Sequence, residues 1–177
     1  MGTKMAIGVA AGLIIGLVIA AVLLKVANTD RRMKTEYDER QQKIRGKSYM
    51  YGFYTILFCL VAVTLLDISD IVIPLERYAV DFTVLLIGCI VLCAHSIWNG
   101  VYWGLNNDHK RYYVIMAIAL ALNILPVATQ AAAGTLIEDG KIGLPMLNIM
   151  VIIMMAVLGI EMVIKGIVDK RKTEEDE

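Results

Sequence analysis

Residues 5–27 read MAIGVAAGLIIGLVIAAVLLKVA, an apolar run in which Lys25 is the only charged residue. A helix needs roughly 20 apolar residues to cross a hydrocarbon core of about 30 Å. This run is long enough to cross, and it exceeds the roughly 7–15 residues of a signal-peptide h-region. We therefore interpret it as a transmembrane helix that the protein retains.

Four more apolar runs follow, and the charged residues concentrate between the runs. Hydrophobic residues make up 58% of the 177 residues, whereas soluble domains contain about 45–50%. The pattern predicts an all-α fold, a polytopic transmembrane helix bundle with five spans that forms one membrane domain over residues 1–177. The predicted spans are Met5–Ala27, Tyr49–Leu66, Asp81–Trp103, Tyr112–Ala133 and Pro145–Val168.

The distribution of Lys and Arg predicts the orientation of the bundle, because cytoplasmic loops of membrane proteins carry an excess of these residues. Most of them lie in three segments: the one after the first span, the one after the third span, and the tail 169–177. Five spans place these segments on one side of the membrane. The sequence therefore predicts a multi-pass protein of the cell membrane with its N-terminus outside and its C-terminus cytoplasmic.

The segment that follows the first span is charged along its length. Glu36 and Arg40 stand four residues apart in the favoured order for a helical ion pair, and Gly46 is a suitable helix stop. We predict a charged cytoplasmic helix over residues 29–45. Its favoured role is that of a solvated juxtamembrane helix, and the alternative is a docking site for a cytoplasmic partner.

Residues 38–53, which overlap this segment, read DERQQKIRGKSYMYGF. An Asp-Glu-Arg near the start of a span is followed here by a basic-Gly-Lys-aromatic run. The stretch resembles a segment shared by uncharacterised small multi-span membrane proteins of Gram-positive bacteria and archaea, and the resemblance covers about residues 38–66. It implies a bacterial-type membrane protein and carries no activity over to this chain.

Small residues recur at every fourth position of the first span, at Gly8, Gly12 and Gly16. Such a stripe, or glycine zipper, allows another helix backbone to approach closely within a membrane. Glycine destabilises a helix by about 1 kcal/mol relative to alanine, so the repeat indicates a packing role. We favour a partner helix from this chain, and the alternative is a second copy of the chain or another membrane protein.

A second group of candidate residues is polar and lies inside the predicted spans. Ionisable side chains at membrane depth are costly and usually face the interior of a bundle. Counted from the span centres, His95 and Glu161 lie at similar depths. With Asn99 and Asn123, which are within reach, and Lys165, a local partner of Glu161, they form a predicted intramembrane polar layer. We favour a structural hydrogen-bond network in which Lys165 neutralises Glu161, and the alternative is a path for protons or ions.

Several classes of function find no support in the sequence. It contains no HExxH, GxSxG or phosphate-loop motif, so we expect no enzyme and no cofactor. Its 17 basic and 17 acidic residues balance, which argues against nucleic acid as a partner. Cys89, Cys93, Met150 and Met154 could suggest a Cu(I) site, but such residues also pack in apolar helices, and we expect no metal.

Two functions of different classes remain. The favoured one is a non-enzymatic accessory or regulatory membrane protein that acts through helix–helix contacts, with the lipid bilayer around it and a homo-oligomer or membrane-protein partner. The alternative is a small transporter or channel subunit that uses the polar layer. Five spans make a thin wall for a transport path, and no inverted repeat is visible, which favours the first.

Overall fold

The computed structural model describes the backbone of residues 2–71, 75–138, 141–142 and 145–175. Its described part contains five helices, each long and apolar enough to span a membrane, which confirms the all-helical architecture and is compatible with a membrane protein. A short antiparallel hairpin precedes the last helix. The elements are α1 (Gly2–Ala27), α2 (Glu39–Ile68), α3 (Arg77–Trp98), α4 (His109–Ala132), β1 (Ile137–Glu138), β2 (Lys141–Ile142) and α5 (Pro145–Glu175).

The predicted charged helix over residues 29–45 is wrong in its first part. The chain is not helical between the end of α1 and Glu39, where α2 begins, and α2 continues through Gly46 without a stop. Short polar side chains such as Asn and Asp offer backbone groups an alternative to helical hydrogen bonds. Several backbone groups between α1 and α2 use that alternative, as described below.

The helix α3 is also shorter at its end than predicted, because it stops at Trp98 rather than Trp103. Gly100 adopts a left-handed backbone with φ of +67°. Its N–H donates to the carbonyl of Ile97 at 3.0 Å, and the N–H of Val101 donates to the carbonyl of Ser96 at 2.9 Å. These two bonds form a Schellman cap, so the residues from 99 to 108 belong to a loop.

The described residues fall into two compact units, residues 1–38 with 103–118, and residues 39–102 with 119–177. In the second unit α3 packs against both α2 and α5. The α2–α3 contact is closest at Gly52 and Gly88. A Cβ at Gly52 would lie 3.0 Å from the carbonyl oxygen of Gly88, and a Cβ at Gly88 would lie 2.3 Å from Cγ1 of Ile56. Glycine is needed on both helices for this approach.

The glycine stripe of α1 has no comparable neighbour. Gly12 and Gly16 are exposed, and a Cβ built on either would meet no heavy atom of the described residues within 4 Å. Gly8 lies outside the residues whose side-chain surroundings are described. Among the described residues, the close approach of two helices at glycine is therefore the one between Gly52 and Gly88, and a partner for the α1 stripe stays a prediction.

Candidate intramembrane polar layer and the asparagine clasp

His95, the central residue of the predicted layer, lies in the last turn of α3 and is hydrogen-bonded to α2. Its Nδ1 is 2.8 Å from Oγ of Ser48, a residue that is only 1% exposed. The Ser48 hydroxyl also donates to the carbonyl of Ile44 at 3.1 Å. Because a hydroxyl has one hydrogen to donate, we assign the His95 proton to Nδ1, which donates to Ser48.

The other members of the layer bond to groups a few residues away in sequence or have no hydrogen-bond partner among the described residues. The Asn99 amide donates to the carbonyl of His95 at 2.7 Å, and the Asn123 amide donates to the carbonyl of Ala119 in its own helix at 2.8 Å. Glu161 has one carboxyl oxygen, Oε2, that is buried without a hydrogen-bond partner. No hydrogen bond or ion pair of the described residues joins Glu161 to His95.

The predicted neutralisation of Glu161 by Lys165 is wrong. The ammonium group of Lys165 pairs instead with Asp169, one turn further along α5. Pairing with Asp169 rather than with Glu161 is favoured because a lysine near a membrane boundary extends its charge towards water rather than towards the hydrocarbon. Glu161 is thus left as a lone carboxyl group in the candidate membrane-spanning part of α5.

The described part of the chain holds no cluster of potential metal ligands. No three His, Cys, Asp or Glu side chains of these residues lie close enough together to hold a metal ion. The described cysteines Cys59, Cys89 and Cys93 are free thiols. The polar layer therefore offers hydrogen-bonding groups and one lone carboxyl rather than a ligand set.

Sequence reasoning missed a polar assembly in the first unit, which we name the asparagine clasp and define as residues 28–36 and 103–108. Asn28 and Asn107 form an antiparallel bridge, and the Asn107 amide donates to the side-chain carbonyl of Asn28 at 2.7 Å. The Asn28 amide in turn donates to the carbonyl of Arg32 at 2.8 Å. Asn28 is 0% exposed, and both ends of its side chain are satisfied.

Asn106 is the second centre of the clasp and is 8% exposed. Its side-chain oxygen accepts the backbone N–H of Glu36 at 2.9 Å, and its amide donates to the carbonyl of Lys34 at 3.1 Å and to Oδ1 of Asp30 at 3.2 Å. The backbone carbonyl of Asn106 accepts the N–H of Thr29 at 2.8 Å. These bonds satisfy backbone groups that a helix would otherwise pair, which explains why this stretch is not helical.

Gly104 allows the two segments of the clasp to meet. A Cβ on Gly104 would lie 2.1 Å from Cγ2 of Thr35 and 2.8 Å from the carbonyl oxygen of Glu36. That same carbonyl accepts the N–H of Leu105 at 2.8 Å. The sequence contains a local signal here, since Gly, Asn and Asp favour turns, but it does not reveal which distant segment the turn contacts.

The clasp also completes the ends of two spans. The N–H of Asp108 donates to the carbonyl of Ala27 at 3.0 Å, and the Arg111 guanidinium donates to the carbonyl of Val26 at 3.2 Å, so the C-terminus of α1 is partly satisfied. The carboxylate of Asp108 accepts the N–H groups of Lys110 and Arg111 at 3.0 and 3.3 Å and caps the N-terminus of α4.

The charge of Asp30 is stabilised inside the clasp. The backbone N–H of Arg32 donates to its carboxylate at 3.0 Å and is the largest cause that lowers the pKa of Asp30, helped by the Asn106 amide. Asp30 is therefore ionised and acts as an acceptor at neutral pH.

Aromatic rings gather beside the clasp, around Trp103. The ring of Trp103 lies 4.5 Å from that of His109, 5.3 Å from that of Tyr112 and 5.7 Å from that of Tyr113, measured between centroids. Trp and Tyr concentrate at the two interfaces between membrane and water. The cluster is therefore suited to hold this end of α4 at an interface.

No protein-family model, curated protein or solved structure matches this chain. The resemblance of residues 38–66 to uncharacterised membrane proteins accordingly stays a prediction. Support for a function comes from the surface of α1, the polar layer and the asparagine clasp.

Proposed function

We propose that this chain is a non-enzymatic accessory or regulatory protein of the cell membrane that acts through helix–helix contacts with a second chain. In this proposal the N-terminus is outside and the C-terminus is cytoplasmic, as the distribution of Lys and Arg favours. The observation that carries the proposal is the open space at Gly12 and Gly16 of the α1 stripe, where a Cβ would meet no heavy atom of the described residues within 4 Å.

Exposed apolar side chains on α1, such as Leu17 at 71% exposure, need no protein partner, because lipid tails cover them equally well. Glycines are different, since each costs helix stability of about 1 kcal/mol relative to alanine. A close approach of another backbone offsets that cost, as the contact of Gly52 with Gly88 illustrates within this chain. The open space at Gly12 and Gly16 supports an equivalent contact with a helix from a second chain.

The arrangement of the polar layer also favours an accessory function over transport. A relay of protons needs a continuous chain of groups that exchange hydrogen bonds. Here His95 is bonded to Ser48, while the Asn123 amide is bonded to the backbone of its own helix. These hydrogen bonds, one between helices and one within a helix, support a structural role for both side chains.

We expect Gly12→Leu to weaken association of the protein with its partner chain, because the leucine side chain occupies the space that the partner backbone requires. Cross-linking in native membranes and the oligomeric state in mild detergent measure the effect, which we expect to be a loss of most of the cross-linked species. Ala10→Leu adds the same side chain on the opposite side of α1 and should leave association unchanged. Unchanged association in the Gly12 variant would show that the stripe faces lipid.

A second candidate function, a small transporter or channel subunit, is favoured by one observation. Oε2 of Glu161 is buried without a hydrogen-bond partner, and ionisable side chains at membrane depth often mark ion or proton paths. Glu161 is therefore the residue on which a transport function would depend.

If the chain transports protons or ions, Glu161→Gln should fold normally and abolish a pH-dependent flux in proteoliposomes, because the amide keeps the shape but does not titrate. Glu174→Gln, which changes an exposed carboxylate near the end of α5, should retain the flux. Equal flux in wild type, the Glu161 variant and protein-free liposomes would exclude transport and leave the accessory function.

A further inference from the structure

The asparagine clasp and the start of α4 carry exposed cations that pair with no other side chain of the described residues. Among the described residues the side chains of Arg31, Lys34 and Lys110 form no hydrogen bond or ion pair. Neighbouring cations form ion pairs: the guanidinium of Arg32 lies 3.6 Å from the carboxylate of Glu36, and that of Arg111 lies 3.0 Å from the carboxylate of Asp108. The three unpaired cations come from segments that are distant in sequence and that the clasp ties together.

The backbone that carries these cations is held in a defined conformation. Arg31 has a φ of +55°, which is unfavourable for a residue with a Cβ. The turn is held on both sides: the N–H of Arg31 donates to the carbonyl of Asn28 at 3.2 Å, and the Asn28 amide donates to the carbonyl of Arg32 at 2.8 Å. A preorganised backbone loses less conformational entropy when a ligand binds its side chains.

The aromatic cluster of Trp103, Tyr112 and Tyr113 sets the depth of this surface. The cluster belongs to the same unit as the clasp, and such rings lie at the level of the lipid headgroups. The clasp itself joins the end of one candidate span, α1, to the start of another, α4. In a bilayer that α1 and α4 span, the cations would lie at the level of the lipid phosphate groups.

We propose that Arg31, Lys34 and Lys110 form a binding surface for phosphate-bearing anionic lipid headgroups. Juxtamembrane Lys and Arg residues are attracted to anionic lipids, and each contributes a factor of about five to binding. Three cations together give a preference for anionic over zwitterionic lipid of about one hundredfold at low salt, which weakens as salt screens the charges. This surface is independent of the helix contacts of α1.

The test uses the full chain in nanodiscs of phosphatidylcholine mixed with phosphatidylglycerol, and native mass spectrometry measures which lipids stay bound after release. Wild type should retain phosphatidylglycerol selectively. The triple variant Arg31→Gln, Lys34→Gln, Lys110→Gln should lose at least about tenfold of that preference. Equal retention of the two lipids by wild type, or an unchanged preference in the triple variant, would overturn the proposal.

A matched control removes the same charge elsewhere. Lys170→Gln, Arg171→Gln, Lys172→Gln alters three exposed cations near the end of α5, a helix of 31 residues that exceeds the roughly 20 needed to span a membrane. This variant should lose clearly less of the preference for phosphatidylglycerol than the clasp variant. An equal loss in both triple variants would show nonspecific attraction by net charge and would overturn the assignment to the clasp.

Further variants and competition measurements keep the result unambiguous. Arg31→Lys, which retains the charge and perturbs the turn least, should bind phosphatidylglycerol like wild type. The single variants Lys34→Gln and Lys110→Gln should each lose about fivefold of the preference for phosphatidylglycerol.

Inorganic phosphate added to the nanodiscs should not displace the lipid selectively when compared with chloride at equal ionic strength. Selective displacement by phosphate would assign the surface to a soluble anion and overturn the lipid proposal. An acidic peptide added in the same way tests for a protein ligand, and selective displacement by the peptide would overturn the lipid proposal as well.

Discussion

Replacing Gly88 by valine is expected to lower the thermal midpoint of the purified protein by several degrees. A Cβ at this position would lie 2.3 Å from Cγ1 and 2.7 Å from Cδ1 of Ile56, and 3.1 Å from the backbone oxygen of Gly52. Cγ1 is close to the α2 backbone, so relief of the clash requires α2 and α3 to move apart. Overpacking of this kind costs about 1–3 kcal/mol.

Separation of α2 from α3 would also lengthen the contact between Ser48 and His95, which is 2.8 Å in the native arrangement. The surroundings of the His95 ring should then change, and the chemical shifts of its imidazole NMR signals would detect the change alongside the thermal melt. Both measurements report the same displacement through independent groups.

The matched control is Gly159→Val in α5, where a Cβ meets no atom of the described residues within 4 Å. The exchange of glycine for valine changes helix propensity equally at both positions, so the difference between the two variants isolates the α2–α3 contact. Equal thermal midpoints for the Gly88 and Gly159 variants would contradict the close crossing of α2 and α3.

The second large effect is expected from Gly104→Ala, which should open the asparagine clasp. The added methyl group would lie 2.1 Å from Cγ2 of Thr35 and 2.8 Å from the carbonyl oxygen of Glu36. Because the second neighbour is backbone, the segment before α2 must move away and the hydrogen bond of Leu105 to Glu36 is lost. We expect a destabilisation of about 1–3 kcal/mol, concentrated in this segment.

Limited trypsin digestion reads out the opening directly. Arg31, Arg32 and Lys34 lie in the segment that the clasp holds, so cleavage there should be markedly faster in Gly104→Ala than in wild type. Gly46→Ala is the control, because Gly46 lies in α2 with nothing within 4 Å of a Cβ, and alanine there should slightly stabilise the helix. Similar cleavage rates in all three proteins would show that Gly104 does not hold the clasp closed.

The predicted polar layer illustrates where reasoning from spans is sufficient and where it is not. Depth follows from counting residues, so the positions of His95 and Glu161 along their helices could be predicted. Partners depend on the rotation of each helix about its axis, which hydropathy leaves undetermined in an almost uniformly apolar helix. His95 consequently bonds to Ser48 rather than to Glu161.

Glycine spacing is a second example of what the sequence leaves undetermined. The regular spacing of Gly12 and Gly16 predicts a helix contact there, yet the close contact between helix backbones of the described residues is at Gly52 and Gly88. Spacing reveals that one helix has a narrow face, whereas a close contact needs a narrow face on each of two helices at the same height. That coincidence is a property of the packed pair and not of either helix alone.

Sequence was sufficient for the five apolar helices of this protein, because an apolar run of about 20 residues has one way to satisfy its backbone in hydrocarbon. It was not sufficient for residues 28–38, where local charge spacing predicted a helix. Asn106 satisfies the backbone groups of Lys34 and Glu36 from about 70 residues away, and the left-handed turn at Arg31 is held in the same assembly. Only the tertiary structure decides such a segment, because its hydrogen-bond partners are not its neighbours in sequence.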